Sequence, residues 1–270
     1  MYFMVFRLSA LLWCIHLLVI TPAEALRFYV DPSTGDDRRS VQSAQDATTP
    51  FRTIAHALRI SHVVSESRPH VINIAPGTYS LSSGEPFPLE ITQANIYIET
   101  TGLTIFDGEN KTNFFKITAP TSDFVIKGID FKNGSAEKGG VAFCQTCSLR
   151  VVENRFFSNK ASQSGHVIYT ENGRLKFYNN LVRDSGNDND TLAVLELRNS
   201  SIDTLVRDEI RNNTFYRNPS PNIWASGART RISSNLFIDP QQAAIRNADS
   251  TAIPLIDHNL FWETETLYVS

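Results

Sequence analysis

The residues best suited to chemistry lie in one short stretch, Asp184-Ser185-Gly186-Asn187-Asp188-Asn189-Asp190, with Glu196 shortly after it. Calcium takes six to eight oxygen ligands, several of them carboxylates, so Asp184, Asp188 and Asp190 are the candidate metal ligands and Ca2+ the candidate cofactor. The same composition also makes a solvated turn, and that alternative stays open. Arg198, Arg207 and Arg211 stand close enough in sequence to act as base or substrate clamp. Cys144-Gln-Thr-Cys147 has the spacing of a redox pair or half a zinc site. Without a second Cys pair, a local disulfide or two buried thiols fits better. The sequence holds no Gly-x-Ser-x-Gly elbow, no His-Glu-x-x-His helix and no Gly-x-Gly-x-x-Gly turn. Catalytic residues are therefore unassigned.

The elements that would hold such groups follow from a repeat. Asn154, Asn180, Asn213, Asn235 and Asn259 are spaced by 26, 33, 22 and 24 residues. Three residues before each stands Val151, Phe177, Ile210, Ile232 or Ile256, and two after stands Phe156, Val182, Phe215, Phe237 or Phe261. An earlier turn puts Ile129 at the Asn position. Phe131-Lys132-Asn133 also recurs as Phe157-Ser158-Asn159, and Gly139 to Phe143 recurs as Gly165 to Tyr169, both at 26 residues. The apolar positions fall in short alternating runs broken by Asn, Gly and Ser, which is strand patterning rather than helical patterning. Units this short stack as a solenoid, and a strand-turn-strand coil gives an all-β parallel β-helix. The Asn amides then bond from coil to coil as a structural ladder.

This register places Ala142, Ile168 and Ile223 inward and turns Phe143, Tyr169 and Trp224 outward, as a discontinuous aromatic stripe suited to binding sugar rings. A one-residue slip would reverse every one of these directions. The 33-residue repeat must bulge into a loop, and it holds Asp184 to Asp190. Upstream, Phe28-Tyr29-Val30 is a short strand, and Thr53 caps a helix to about Val64 with Ile54, Ala57, Leu58 and Ser61 on one face. Such a helix covers the edge of the first coil.

Four blocks carry a resemblance: Tyr29-Val30-Asp31-Pro32-Ser33-x-Gly35-x-Asp37, Pro50-Phe51-x-Thr53-Ile54-x-x-Ala57-Leu58, Ile72-x-Ile74-Ala75-Pro76-Gly77-Thr78-Tyr79 and Gly84-Glu85-Pro86-Phe87-Pro88-Leu89. Over residues 28 to 108 the chain resembles right-handed β-helix proteins of the pectate-lyase-like superfamily. Its closer likeness is to a bacterial domain family of unknown function with the Gly-Thr-Tyr…Gly-Glu-x-Phe-Pro-Leu block. The resemblance implies a right-handed parallel β-helix of about eight coils with an N-terminal capping helix. It also implies that acidic polysaccharide cleaved by calcium-assisted β-elimination is one substrate class.

The first 25 residues read as a secretory signal. Arg7 is followed by the apolar stretch Leu8 to Ile20 and the small-x-small site Ala23-Glu24-Ala25. Thirteen apolar residues span only ~20 Å as a helix, short of a ~30 Å bilayer core. No membrane span is expected once the signal is removed. Residues 26–270 then form one domain, with strand, loop and cap helix over 26–70 and coils over 71–270, in a secreted or periplasmic protein. The formal charge of −3 among 270 residues gives no reason to expect nucleic acid as a partner. The leading functional expectation is polysaccharide binding along the solenoid flank, with catalysis unassigned. The alternatives are a calcium-dependent polysaccharide lyase and a surface adhesin or scaffold that self-associates through the C-terminal edge. Residues 261 to 270, with no capping helix, are expected to fold over that edge when it is not paired. Glycosylation triplets stand at Asn110, Asn133, Asn189, Asn199 and Asn212.

Overall fold

A computed structural model describes residues 25–64, 68–118, 123–188, 191–198, 207–226, 229–247, 254–264 and 266–269. The expected secretory segment up to Glu24, and Asn189, Asp190 and Asn199, lie outside the described residues. The chain forms a parallel β-helix. Among the described residues one sheet has fifteen strands, a second has eight, and a third is a two-stranded pair.

One coil shows how the repeat folds. The chain runs along Ser148–Val152, bends at Asn154, and follows Arg155–Phe157 in the fifteen-stranded sheet. It passes through Lys160–Ser164 and then Ile168–Glu171 in the eight-stranded sheet. It then returns as Arg174–Tyr178, parallel to Ser148–Val152 with Leu149 opposite Leu175 and Val151 opposite Phe177. Alternation sends one set of side chains inward. Leu149, Val151, Phe156, Ile168, Leu175 and Phe177 are all buried. Phe131, Phe156, Phe177, Phe215, Phe237 and Phe261 make successive ring contacts along the axis with centroids 5.0 to 6.4 Å apart, all stacked except the tilted pair of Phe156 and Phe177.

The bend has its own chemistry. The residue before each ladder position is left-handed: Gly128, Glu153, Asn179, Asn212, Ser234 and His258. For the non-glycines this conformation costs about 1–2 kcal/mol each. The ladder offsets that cost. The backbone N–H groups of Asn154, Asn180, Asn213 and Asn235 each donate to the side-chain oxygen of the next Asn at 2.9 to 3.0 Å. Each side-chain amide of Asn154, Asn180, Asn213, Asn235 and Asn259 also donates to a carbonyl of the preceding coil, as Asn180 does to Val151. At the substituted position, Ile129 N–H donates to Asn154 Oδ1 at 2.9 Å.

One expected match shifts by a residue. Phe131 pairs with Phe156, 25 residues on, and Phe157 pairs with Lys132, whereas Phe143 pairs with Tyr169 at 26. Matching Phe131 to Phe157 would turn a core ring outward. The extra residue is taken up between the two sheets, where the pairing of Lys160–Ser164 with Ser135–Lys138 shifts register.

At the N-terminal end, Leu26–Val30 pairs with His70–Ile74, so the sheet begins before the helix. The helix Ile54–Val64 buries Ile54, Ala57, Leu58 and Ser61. Thr53 Oγ1 accepts from His56 N–H at 3.1 Å. Glu85 reaches the same terminus, accepting from Ile54 and Ala55 N–H at 2.9 Å each. Burial pushes its carboxyl up to about 7, against the pull of those two bonds. At the far end the chain does not fold over the edge. Leu260–Trp262 pairs with Leu236–Ile238, and Tyr268–Val269 pairs with Ile245–Asn247, adding rungs. Leu260 and Trp262 are each 60% exposed there.

Candidate ligand-binding flank

The outer face of the eight-stranded sheet carries one file of residues in register: Lys116, Phe143, Tyr169, Glu196, Trp224 and Arg246. Their neighbours Ala142, Ile168, Leu195, Ile223 and Ile245 fill the interior. Phe143, Tyr169 and Trp224 are thus brought to one face, with Glu196 between Tyr169 and Trp224.

The rings do not lie open. Phe143 and Tyr169 stack on each other at 5.6 Å with an interplanar angle of 27°. Lys138 Nζ sits 5.6 Å from the first ring centre and 5.3 Å from the second. Trp224 has the Arg198 guanidinium at 4.5 Å and that of Arg246 at 5.7 Å. Tyr169 is only 4% exposed. Burial raises its phenol pKa, with Glu171 adding and Arg198 opposing. Stacking between coils uses up ring faces that a sugar would need. Cation–π contact instead holds three cations in fixed places, an arrangement worth roughly 0.5–2 kcal/mol per contact.

Glu196 is fully buried and accepts from Gly165 N–H at 2.9 Å and from Arg198 Nε at 2.6 Å. That carboxylate fixes the guanidinium over Trp224, so Arg198 is held from two sides. The loop before Leu195–Arg198 reaches the same file, where the Thr191 carbonyl accepts from Arg246 at 3.0 Å. The strand that carries Glu196 and Arg198 starts at Leu195. This arrangement can present guanidinium and ammonium donors at set spacings to carboxylates or hydroxyls, with ring edges between them. Lys138 and Arg246 escape motif reading, although one repeat forward from Trp224 lands on Arg246.

The candidate metal ligands are placed differently. Asp184 occupies a left-handed bend equivalent to Asn133, Ser158, Arg217 and Asp239, and pairs with Arg183 at 3.6 Å. The coil's bend therefore fixes its backbone. Asp188 is exposed, and Asp190 lies outside the described residues. Among the described residues no three His, Cys, Asp or Glu side chains group closely enough to hold a metal. Arg211 packs over Tyr178 at 4.4 Å on another face, away from Glu196. Cys144 and Cys147 are joined by a disulfide at the corner leading out of the eight-stranded sheet. Gly173 lies against it, where a Cβ would come within 2.8 Å of Cys144 Sγ.

Two concavities lie elsewhere. One of about 540 Å³ runs over Arg155, Phe157, Arg183 and Tyr216 on the outside of the fifteen-stranded sheet. The other, about 380 Å³, lies between the helix and Pro86, Pro88 and Glu90. Among the described residues no helix is long and apolar enough to cross a membrane.

No curated protein and no solved structure matches the chain. A family model described as a protein of unknown function (DUF1565) matches residues 34–234, from the loop before the helix to the ladder bend at Ser234. Since that match takes in most of the β-helix, the chain belongs to the DUF1565 family.

Proposed function

We propose that this protein is an exported β-helix of the pectate-lyase-like kind that binds polysaccharide along the outer face of its eight-stranded sheet. The carrying observation is the file Phe143, Tyr169, Glu196, Trp224 and Arg246, with Lys138 and Arg198 packed against its rings. A rigid sheet that fixes cations two coils apart, ~10 Å, suits a polymer carrying carboxylates or dense hydroxyls. Cations already held by rings and by Glu196 lose little freedom on binding, which favours affinity. The apolar N-terminal stretch with its Ala23-Glu24-Ala25 site supports export to the periplasm or beyond.

The test is retention in gels containing acidic or neutral polysaccharides, with polymer length measured in the same samples, with and without calcium. Retention by an acidic polymer that weakens about tenfold or more in Arg198→Ala and Trp224→Ala supports the reading. No retention across the panel overturns it. Shortened chains that depend on calcium would make the protein a lyase and direct attention to Asp184, Asp188 and Asp190.

A further inference from the structure

The two ends of the solenoid are finished differently. At the first coil Phe28 is fully buried, and the helix Ile54–Val64 buries Ile54, Ala57 and Leu58 over it. Phe51 bonds across the outer edge of Leu26–Val30. Its N–H donates to the Tyr29 carbonyl at 2.8 Å, and its carbonyl accepts from Asp31 N–H at 2.9 Å. At the last coil the inner files run out uncovered. Ile256 continues the file of Ile210 and Ile232, yet it is 37% exposed where those two are fully buried. Five of the eight large hydrophobic side chains exposed among the described residues fall between Leu255 and Leu267.

The backbone is open there as well. Leu255–Asp257, Leu260–Trp262 and Tyr268–Val269 are each the last strand of their row. Along a parallel strand successive residues bond to opposite neighbours. Leu260 N–H donates back to the Asn235 carbonyl at 2.9 Å, and the Trp262 carbonyl accepts back from Asp239 N–H at 3.0 Å. Phe261 N–H and C=O therefore face the open end. The carbonyls of Asp257 and Leu267 accept back from Ser234 and Ile245 N–H at 3.2 Å each, which turns Ile256 and Tyr268 forward in the same way. Neither Leu255–Asp257 nor Leu260–Trp262 carries the Lys or Pro that commonly guards an edge.

We propose that this coil end docks on the same end of a second copy, as a closed two-fold dimer. The edge itself selects that partner. Each edge strand turns one residue forward, so a foreign strand added to any one of them gains two bonds and leaves the other two edges and the bare core open. A coil end presents three edges and a core around one perimeter, and meets them together. The opposite end is sealed by the helix and Phe51, which blocks head-to-tail stacking. Like-to-like contact remains, and such an interface is isologous and stops at two copies. Turning one coil end onto the other reverses the strands, so the pairing across is antiparallel. The area is adequate. A coil of 24 residues has a perimeter of roughly 75 Å, and its end with outer side chains covers roughly 700 Å², near the ~800 Å² per partner of a stable complex.

The test is sedimentation equilibrium of the full chain over about a hundredfold range of concentration, with amide hydrogen exchange at the two extremes. The expected result is reversible conversion of monomer to dimer, no larger species, and slower exchange at Ile256, Phe261 and Tyr268 N–H in the dimer. Leu260→Lys with Trp262→Lys sets like charges on both sides of the contact and should weaken dimerisation by at least about tenfold. Both side chains are 60% exposed, so the fold should persist by circular dichroism. If it does not, Trp262→Lys alone gives the same sign with a smaller effect. Leu103→Lys, at a position 62% exposed on Ile96–Asp107, should leave dimerisation unchanged. The apolar stretch Leu8 to Ile20 is common to all variants, and association through it would not respond to them. A monomer throughout, a dimer indifferent to the edge substitutions, or growth beyond two copies overturns the proposal.

Discussion

The inside and outside of this solenoid use the same coil spacing for opposite purposes. Inside, the repeat sets one residue type above itself: Asn154, Asn180, Asn213, Asn235 and Asn259 exchange the same bonds at each step. Outside, the file Phe143, Tyr169, Glu196, Trp224 and Arg246 changes residue type from rung to rung. A buried polar group must find its partner in the next coil, so identity is enforced there. An exposed outer side chain has no such obligation and is free to vary, and the one buried polar member of the file, Glu196, meets it with Gly165 N–H and Arg198 rather than with its own kind. In a stacked fold, recurrence therefore marks support, and departure from recurrence marks where a site can be built.

The sharpest way to break that comparison is to interrupt the inner ladder at its middle. In Asn180→Ala the buried Asn154 N–H loses its acceptor and the Val151 carbonyl its donor. Two buried unsatisfied backbone groups cost about 3–5 kcal/mol together. Urea unfolding should show a lower midpoint with an unchanged slope. A loss under about 1 kcal/mol would mean that water replaces the amide, and that recurrence there is not enforced by burial.

The same distinction explains what the sequence made legible. The Asn spacing exposes the parallel β-helix, because the ladder needs one residue type at one bend. The inward direction of Ala142, Ile168 and Ile223 follows from counting back from that bend. The shift at Phe131 does not, because the coil is 25 residues at Phe156 and 26 at Tyr169, and the slack falls in a turn with no marker residue. Nor does the cover on the aromatic file. Lys138 and Arg246 meet Tyr169 and Trp224 from other coils, and those contacts depend on how each turn is routed. Glu85 was visible as a block residue, but its bonds to a helix 30 and 31 residues earlier repeat nowhere.

Glu85 sharpens the comparison as a buried polar group outside any ladder. Its carboxyl is raised to about 7 in the fold from an ordinary value of 4.5. A raised value means that the stability tied to the protonated form is fully present below about pH 4.5. It is lost as the pH rises through about 7. This one group removes about 3 kcal/mol across that window. Asp31 and Asp107 have lowered values and act in the opposite sense at lower pH, so the quantity to measure is the difference between wild type and Glu85→Gln. That difference should shift in favour of the variant as the pH rises from 4.5 to 7.5. A flat difference would show that the helix N-terminus holds the carboxylate ionised throughout.

A smaller effect is expected at Cys144 and Cys147, a one-off covalent link where the neighbouring coils place Ile117 and Thr170 in the Cys144 file. Closing so short a loop restricts the unfolded chain little, so Cys144→Ala with Cys147→Ala should cost about 2 kcal/mol. Gly173 packs against the pair, so added loss beyond that value would measure packing at the corner. Chemical denaturation of the double variant beside the oxidised wild type gives the number.

The smallest stability effect should come from Trp224, and it is the most telling because two readouts must part. The ring is half-buried on the outer face and its loss removes contacts mainly with Arg198 and Arg246. Trp224→Ala should cost about 1 kcal/mol, well below the inner Asn. Yet it frees both guanidinium groups from the ring that positions them, so retention by an acidic polysaccharide should fall about tenfold or more. Trp224→Phe, which keeps a ring for the two arginines, should recover most of that retention. If stability and retention fell together in both variants, the outer file would be support like the inner one, and the contrast between the two faces would fail.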